Sequence, residues 1–166
     1  SSFDDFPEAY RDDKEIALIA AKESSSSFEH FSERLQCDRE IVEVVVSDSG
    51  YYLKHVKSDE LLHDREILKL ALSSHHQAFM SIPEDLRGDE ELLNLVIADE
   101  INGLVFKLFP EAYRDKEEVA KKAVQDDPGG LRHVSPRLAD NEEIVSLSPC
   151  LLKAKTPTKF KTAIHH

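Results

Sequence analysis

Tryptophan is absent from the 166-residue chain, and methionine occurs once, cysteine twice, glycine five times and proline seven times. Glycine and proline are the residues that interrupt helices, so their scarcity favours a helical fold. Two cysteines, Cys37 and Cys150, are too few for a disulfide framework, and we therefore expect a reducing compartment.

Sequence signals for membrane insertion, secretion and common catalytic sites are also missing. No apolar run approaches the ~20 residues of a membrane span, and no secretory signal is visible. The chain has no P-loop, no dinucleotide-binding glycine loop, and neither the H-E-x-x-H nor the G-x-S-x-G motif. Gly129 and Gly130 follow Pro128, which predicts a plain turn. We expect a soluble protein and assign no catalytic residue, no metal ligand and no cofactor.

Acidic residues outnumber lysine and arginine by 33 to 21, which gives a formal net charge of -12. This balance argues against non-specific nucleic-acid binding, which needs basic side chains to neutralise phosphates, and against docking on anionic lipid. Residues 151–166 differ, because they hold four lysines and no acid. We expect this basic tail to pair with the acidic body or to stay solvated; the alternative is an acidic ligand. Paired acids such as Asp126 and Asp127 are interpreted as solvated surface.

One heptapeptide, FPEAYRD, occurs at residues 6–12 and again at 109–115. It belongs to a longer repeat of six segments, each of which opens with aspartate. The first apolar residue of each segment, here called its anchor, recurs at nearly even spacing, at Ile16, Ile41, Ile67, Leu92, Val119 and Ile144. A near-constant period of about 25 residues indicates tandem structural repeats.

Each anchor begins a pattern typical of a helix with one buried face. Apolar or small residues recur at the third and fourth positions after it, which predicts that Leu70 and Ala71 are both buried. In the fifth segment Lys122 interrupts the third position. The aspartate before each helix predicts an N-cap, whose carboxylate accepts first-turn N–H groups; these residues are Asp13, Asp38, Asp64, Asp89, Asp115 and Asp140.

A second apolar cluster follows later in each of the first five segments, as at Phe28 and Phe31, before a serine or proline that suits a new helix start. We expect an all-α fold of tandem helix-turn-helix repeats that form an α-solenoid-like or compact array. The array is predicted to span residues 1–148 and to begin mid-repeat, because Phe3 and Phe6 fit the end of a unit. Residues 149–166 are predicted to be a degenerate C-terminal capping segment, and a small insertion is placed at 99–103.

The clearest copies of the repeat are LQCDREIVEVVV, LLHDREILKLAL and LRGDEELLNLVI. This pattern resembles a family of short tandem helical repeats known only as a domain of unknown function, found in translocated effectors of intracellular bacteria and in protists. The resemblance implies a helical-repeat fold, no established activity, and translocation into a host cytoplasm. The serine run at 24–27 and the last segment depart from it.

The candidate partner-binding residues lie in the second cluster of the repeat. His30, His55 and His133 all fall at the same position of their segments, between the two apolar positions of that cluster, and Tyr51 and Tyr52 precede His55. A helical repeat leaves an extended face free for a partner, so we interpret the chain as a protein-interaction scaffold within a larger effector-like protein. The alternative is an enzyme or regulatory domain with a site in the repeat groove that uses His55, His133 or Cys37.

Overall fold

The computed structural model describes residues 8–148. The predicted capping segment 149–166, with its lysines and Cys150, and the predicted unit end at Phe3 and Phe6 lie outside the described residues.

Every regular element within 8–148 is helical, which confirms the all-α prediction. The α-helices are α1 Lys14–Glu23, α2 Glu33–Gln36, α3 Arg39–Asp48, α4 Asp59–Leu62, α5 Arg65–Ser74, α6 Glu90–Ile97, α7 Gly103–Phe106, α8 Glu111–Arg114, α9 Glu117–Asp126 and α10 Glu142–Ser146. The 3₁₀ helices are Glu8–Asp12, Ser25–His30, Gly50–His55, His76–Ser81, Glu84–Leu86 and Pro128–His133. The chain divides into two compact units, a first unit Ser1–Ala98 and a second unit Asp99–His166.

In the first unit the long helices α1, α3, α5 and α6 pack one on the next. In α3 and α5 the anchor and the residues one, four and five positions later are buried, as in Ile67, Leu68, Ala71 and Leu72 of α5. At 100° per residue these four positions cover an arc of about 140°. Such an arc suits a helix that packs against neighbours on two sides.

The predicted burial of the third position was therefore wrong. Leu70 is 36% exposed and Ile19, its counterpart in α1, is 62% exposed. On the helical wheel the third position lies about 60° outside the buried arc. Lys122 of α9 occupies this same exposed-side position, so it interrupts no core.

The second apolar cluster lies on or directly after the 3₁₀ helices, except for Phe106 and Phe109 at the end of α7 and just beyond it, and its burial is confirmed at most positions. Phe28, Phe31, Leu53, Val56, Phe79 and Ile82 are all buried in the first unit, as are Phe106, Phe109 and Val134 in the second. The rings of Phe28 and Phe31 meet edge to face with centroids 5.9 Å apart. Phe106 and Phe109 repeat that arrangement at 5.6 Å, so both units use the same core device.

Aspartate caps the four long helices of the first unit, as predicted. Each carboxylate accepts a hydrogen bond from a first-turn N–H group, in Asp13, Asp38, Asp64 and Asp89. Asp115 and Asp140 were wrongly predicted as caps. Helix α9 starts after Lys116 with no side-chain cap, and α10 is capped by Asn141. In both segments the aspartate stands one position too early.

A ladder of ion pairs joins consecutive helix starts in the first unit. The basic first residue of each long helix reaches the capping aspartate of the next one, in the pairs Lys14–Asp38, Arg39–Asp64 and Arg65–Asp89. The ammonium of Lys14 lies 3.0 Å from Asp38. Each of these aspartates thus caps its own helix and also holds the preceding one.

The two copies of FPEAYRD end in the same contact, here called the aspartate clamp. Asp12 accepts hydrogen bonds from the Ser32 hydroxyl and from Nε of Arg34 at 3.0 Å. In the second unit Asp115 accepts from the Ser135 hydroxyl and from Nε of Arg137 at 2.9 Å. The serine and the arginine stand at the same sequence distance from the aspartate in both units. The heptapeptide therefore recurs with the S-x-R element that it contacts.

The inserted residues 99–103 are tied to the C-terminal end of α9. Asp126 accepts from the Ile101 N–H at 2.9 Å, and Asp127 accepts from the Gly103 N–H at 2.7 Å. Lys122 donates to the Asp99 carbonyl at 2.5 Å. The interpretation of Asp126 and Asp127 as solvated surface was wrong, because both carboxylates satisfy backbone N–H groups of this loop.

Candidate functional site

The three predicted histidines occupy one structural position. His30, His55 and His133 are each the last residue of a 3₁₀ helix that follows a long α-helix. Tyr51, Tyr52 and His55 share the 3₁₀ helix Gly50–His55. His30 lies on Ser25–His30, which packs against that helix. His133 belongs to the second unit.

Gly50 fixes the start of the 3₁₀ helix that carries the two tyrosines. A Cβ at this position would lie 2.0 Å from the carbonyl oxygen of Ala71, so only glycine lets the chain approach α5 this closely. The Gly50 N–H donates to Oγ of Ser74 at 2.8 Å, and that hydroxyl donates to the Val46 carbonyl at 2.6 Å. The tyrosines are thus held against the C-terminal ends of α3 and α5.

Five rings form what we call the aromatic cluster: Tyr51, Tyr52, His55, His75 and His76. Tyr51 meets Tyr52 nearly at right angles, with centroids 5.1 Å apart, and meets His75 at 6.5 Å. His75 stacks on His76 at 6.0 Å, and Tyr52 lies 6.0 Å from His55. Edge-to-face and stacked contacts of this kind hold rings in defined orientations. The cluster therefore presents a preformed surface.

Burial sets the protonation of the inner part of this cluster. Desolvation lowers the pKa of His55, and the nearby Glu29 carboxylate opposes that effect. Nε2 of His55 is buried, makes no hydrogen bond, and lies 3.4 Å from Oε1 of Glu29. Desolvation also raises the pKa of Tyr52, with Glu29 acting in the same direction. At neutral pH both rings are uncharged, so they support the surface and act as apolar groups.

The outer part of the cluster carries one cation. The ammonium of Lys54 lies 3.7 Å from the centroid of the Tyr51 ring and donates to its hydroxyl. Tyr51 is 45% exposed, and Met80 on the adjacent 3₁₀ helix is 46% exposed. This arrangement can bind an apolar group and an anion side by side.

His133 has different surroundings in the second unit. Desolvation lowers its pKa, and the charges of Arg132, Lys107 and Arg114 act in the same direction. Its backbone carbonyl accepts from the Arg114 guanidinium at 3.2 Å. Of the predicted binding residues, the aromatic cluster contains Tyr51, Tyr52 and His55. His30 lies on the neighbouring 3₁₀ helix, and His133 belongs to the second unit.

Sequence reasoning missed His75, His76, Lys54 and Met80. The repeat register could have identified His75 and His76. His75 ends α5 as Ser49 ends α3, and each of the two residues precedes a 3₁₀ helix. Aligning those two ends places His75 and His76 beside Tyr51.

The alternative site residue Cys37 ends α2 and is exposed. Its thiol forms no disulfide within the part of the chain that the structure describes. The second unit has a shallow, open depression around its aspartate clamp, lined by Glu111, Ala112, Asp115, Ser135, Pro136 and Arg137. The charges of Asp115 and Arg137 are already paired there.

Within residues 8–148, no group of three or more histidine, cysteine or acidic side chains is placed to hold a metal ion. None of the helices described there has the length and apolar character needed to cross a membrane.

The comparisons with known proteins identify one family model, described as a domain of unknown function, DUF4116. It matches residues 13–62 and again residues 38–87. The second match begins one repeat period after the first, so the model spans two repeats and fits in two successive registers. The matched stretch lies in the first unit and covers less than half of the chain. No curated protein and no solved structure matches the chain. These matches are consistent with a repeat family of unknown function.

Proposed function

We propose that this chain is a protein-interaction scaffold whose partner docks on the aromatic cluster. The observation that carries the proposal is the exposure of Tyr51, 45% accessible yet held in place by Tyr52 and His75. A rigid, exposed tyrosine contributes a large contact area at little cost in conformational entropy, and tyrosines are enriched at energetic centres of interfaces.

The repeat organisation supports the same proposal. Consecutive long helices pack on one another in the first unit, and the tandem matches are offset by the same period as the anchors. We infer that the repeats form a solenoid-like array belonging to a larger effector-like protein that is soluble and acts in a host cytoplasm.

The docking proposal is tested by affinity capture with matched variants. Wild-type chain, Tyr51→Ala and Ile19→Ala are immobilised at equal density, after circular dichroism has shown that all three are folded. Ile19 is an even more exposed apolar residue, at 62%, and lies on α1 outside the cluster. A partner retained by wild type and Ile19→Ala but lost by Tyr51→Ala supports the proposal. Capture that ignores Tyr51 contradicts it.

The enzymatic alternative stays a prediction. NMR titration of His55 and His133, with thiol-reactivity rates for Cys37, separates it from the scaffold. A reactive thiolate coupled to a histidine titration would favour the enzyme. Independent titration with ordinary thiol reactivity would favour the scaffold.

A further inference from the structure

The two chain segments that carry the aromatic cluster hold no acidic residue in a strongly acidic chain, and the carboxylates that act on the cluster, Glu29 beside His55 and Asp48 on Tyr52, come from outside them. The chain holds 33 aspartates and glutamates, yet none lies between Asp48 and Asp59 or between Glu66 and Glu84. The two acid-free segments contain the 3₁₀ helices Gly50–His55 and His76–Ser81, which pack against each other. The two acid-free segments are separate in sequence but lie next to each other in the structure.

Two lysines lie on the first of these acid-free segments. Lys54 and Lys57 are both exposed. The Lys54 ammonium uses one donor on the Tyr51 hydroxyl, and an ammonium has three donors, so two are left for a ligand. Lys57 acts on the cluster through its charge, which is one of the influences that lower the pKa of His55.

Exposed apolar groups lie on the same pair of 3₁₀ helices. Met80 is 46% exposed and adapts its shape to a partner side chain because its thioether side chain is flexible. The ring of Tyr51 lies under Lys54. Tyr51 and Met80 are thus exposed apolar groups on two 3₁₀ helices that pack against each other, and the first of these helices also carries Lys54.

Charge complementarity selects the occupant. The chain as a whole carries a formal charge of -12, so a basic partner would be attracted to most of its surface and gain nothing from this patch. An acidic partner is repelled by most of the surface and attracted to its basic parts, of which the lysines beside the aromatic cluster are one. Glu29, beside His55, marks the edge of the patch.

Resting on the proposed function, we propose that the aromatic cluster, with Lys54, Lys57 and Met80, binds an acidic peptide segment in which carboxylates flank one apolar anchor. The anchor contacts Tyr51 and Met80, and the flanking carboxylates pair with the two lysines. The chain is thus a receptor for acidic segments, in spite of its own negative charge.

The test uses the full chain and three pools of fluorescein-labelled peptides of ~12 residues. Each pool has a randomised apolar residue at the centre, flanked by glutamate, by its uncharged isostere glutamine, or by lysine. Fluorescence anisotropy measures the affinity. We expect the glutamate pool to bind at least about tenfold more tightly than the glutamine pool, and to weaken several-fold when salt rises from about 50 to about 500 mM.

Two variants with the same change in net charge locate the effect. Lys57→Glu should weaken binding of the glutamate pool by about tenfold or more, while Lys22→Glu, at an exposed position on α1, should leave it nearly unchanged. Equal weakening by both variants would show only a general charge effect and overturn the proposal. Equal affinity for the glutamate and glutamine pools, or no binding of either, would also overturn it.

The outcome is separable from that of the proposed function. If affinity capture depends on Tyr51 but the peptide pools show no preference for glutamate, the scaffold stands and the acidic partner is wrong. If the glutamate pool binds Tyr51→Ala as tightly as wild type, the binding lies elsewhere and the acidic-segment site is wrong.

Discussion

The two units use the same heptapeptide, and they differ in the residue that follows it. In the first unit FPEAYRD is followed by Asp13, which caps α1. In the second it is followed by Lys116, and α9 starts without a side-chain cap. The aspartate clamp is present in both. Clamping one repeat to the next and capping a helix are therefore separate tasks, and the chain varies one while keeping the other.

The two units also differ in how the loop after a long helix is held. In the first unit a glycine and a serine make the contact, since Gly50 donates to Ser74. In the second, carboxylates do so, with Asp126 and Asp127 accepting from the inserted loop. At Gly50 the neighbouring atom is the backbone oxygen of Ala71, which leaves no room for a Cβ. At Gly103 it is the side-chain carboxylate of Asp127, which can rotate away. The first unit should therefore be less tolerant of substitution.

The largest expected effect comes from placing α9 residues in α5. Leu68 is fully buried, and Ala120 stands at its position in α9. Leu68→Ala should lower the free energy of unfolding by about 2–5 kcal/mol through lost burial and the cavity left behind. Leu70→Lys, which copies Lys122, should cost less than about 1 kcal/mol because its site is exposed. Urea denaturation measures both, and equal costs would contradict the register.

A smaller effect is expected when the two tight glycines are replaced. Gly50→Ala would place Cβ 2.0 Å from a backbone oxygen of Ala71, whereas Gly103→Ala would place it 2.7 Å from the side-chain carboxylate of Asp127. We expect losses of about 3 kcal/mol for Gly50→Ala and about 1 kcal/mol for Gly103→Ala. Chemical denaturation again decides, and a costlier Gly103→Ala would mean that the carboxylate cannot move.

Much of the first unit was predictable from sequence because its rules are local. The anchor period, the apolar second cluster and the four aspartate caps follow from spacing within one segment. The buried arc was misjudged at Leu70, since a stripe at the third and fourth positions assumes one packing partner, and these helices have two. The roles of Asp126 and Asp127 depend on contacts about one repeat away in sequence, which no local pattern records.

The candidate site was predictable only in part for the same reason. Tyr51, Tyr52 and His55 are neighbours in sequence, so their common 3₁₀ helix could be expected. His75 and His76 come from the next repeat and join the cluster only when the two 3₁₀ helices pack together. His133 shares the repeat position of His55, yet in the second unit the charges of Arg132, Lys107 and Arg114 act on it.

Exchanging the two residues that follow the heptapeptide should transfer the cap. Lys116→Asp gives α9 the carboxylate that it lacks and should stabilise the chain by about 0.5–1 kcal/mol, while Asp13→Lys should destabilise by about 0.5–2 kcal/mol. The gain is the smaller figure because Lys116 gives up its place over the Tyr113 ring, where its ammonium lies 4.0 Å from the centroid. Thermal and urea denaturation measure both variants. A destabilised Lys116→Asp chain would show that α9 needs the lysine.

The smallest effect should be the acid sensitivity of the aspartate clamps. Hydrogen bonds from Ser32 and then Arg34 lower the pKa of Asp12, and those from Ser135 and then Arg137 lower the pKa of Asp115. In each case the unfolded state binds more protons than the folded state between the lowered pKa and the unperturbed pKa near 3.9. Each clamp therefore stabilises the fold above about pH 4, and this stabilisation is lost as the pH falls through the pKa of the folded state.

Asp12→Asn and Asp115→Asn should each be less stable than wild type at pH 7, and the difference should shrink as the pH falls below about 4. Urea midpoints measured from neutral pH to strong acid report this. Because the two clamps share their geometry, both differences should shrink over the same range; a pH-independent difference in one unit alone would show that its aspartate stabilises the fold by other contacts.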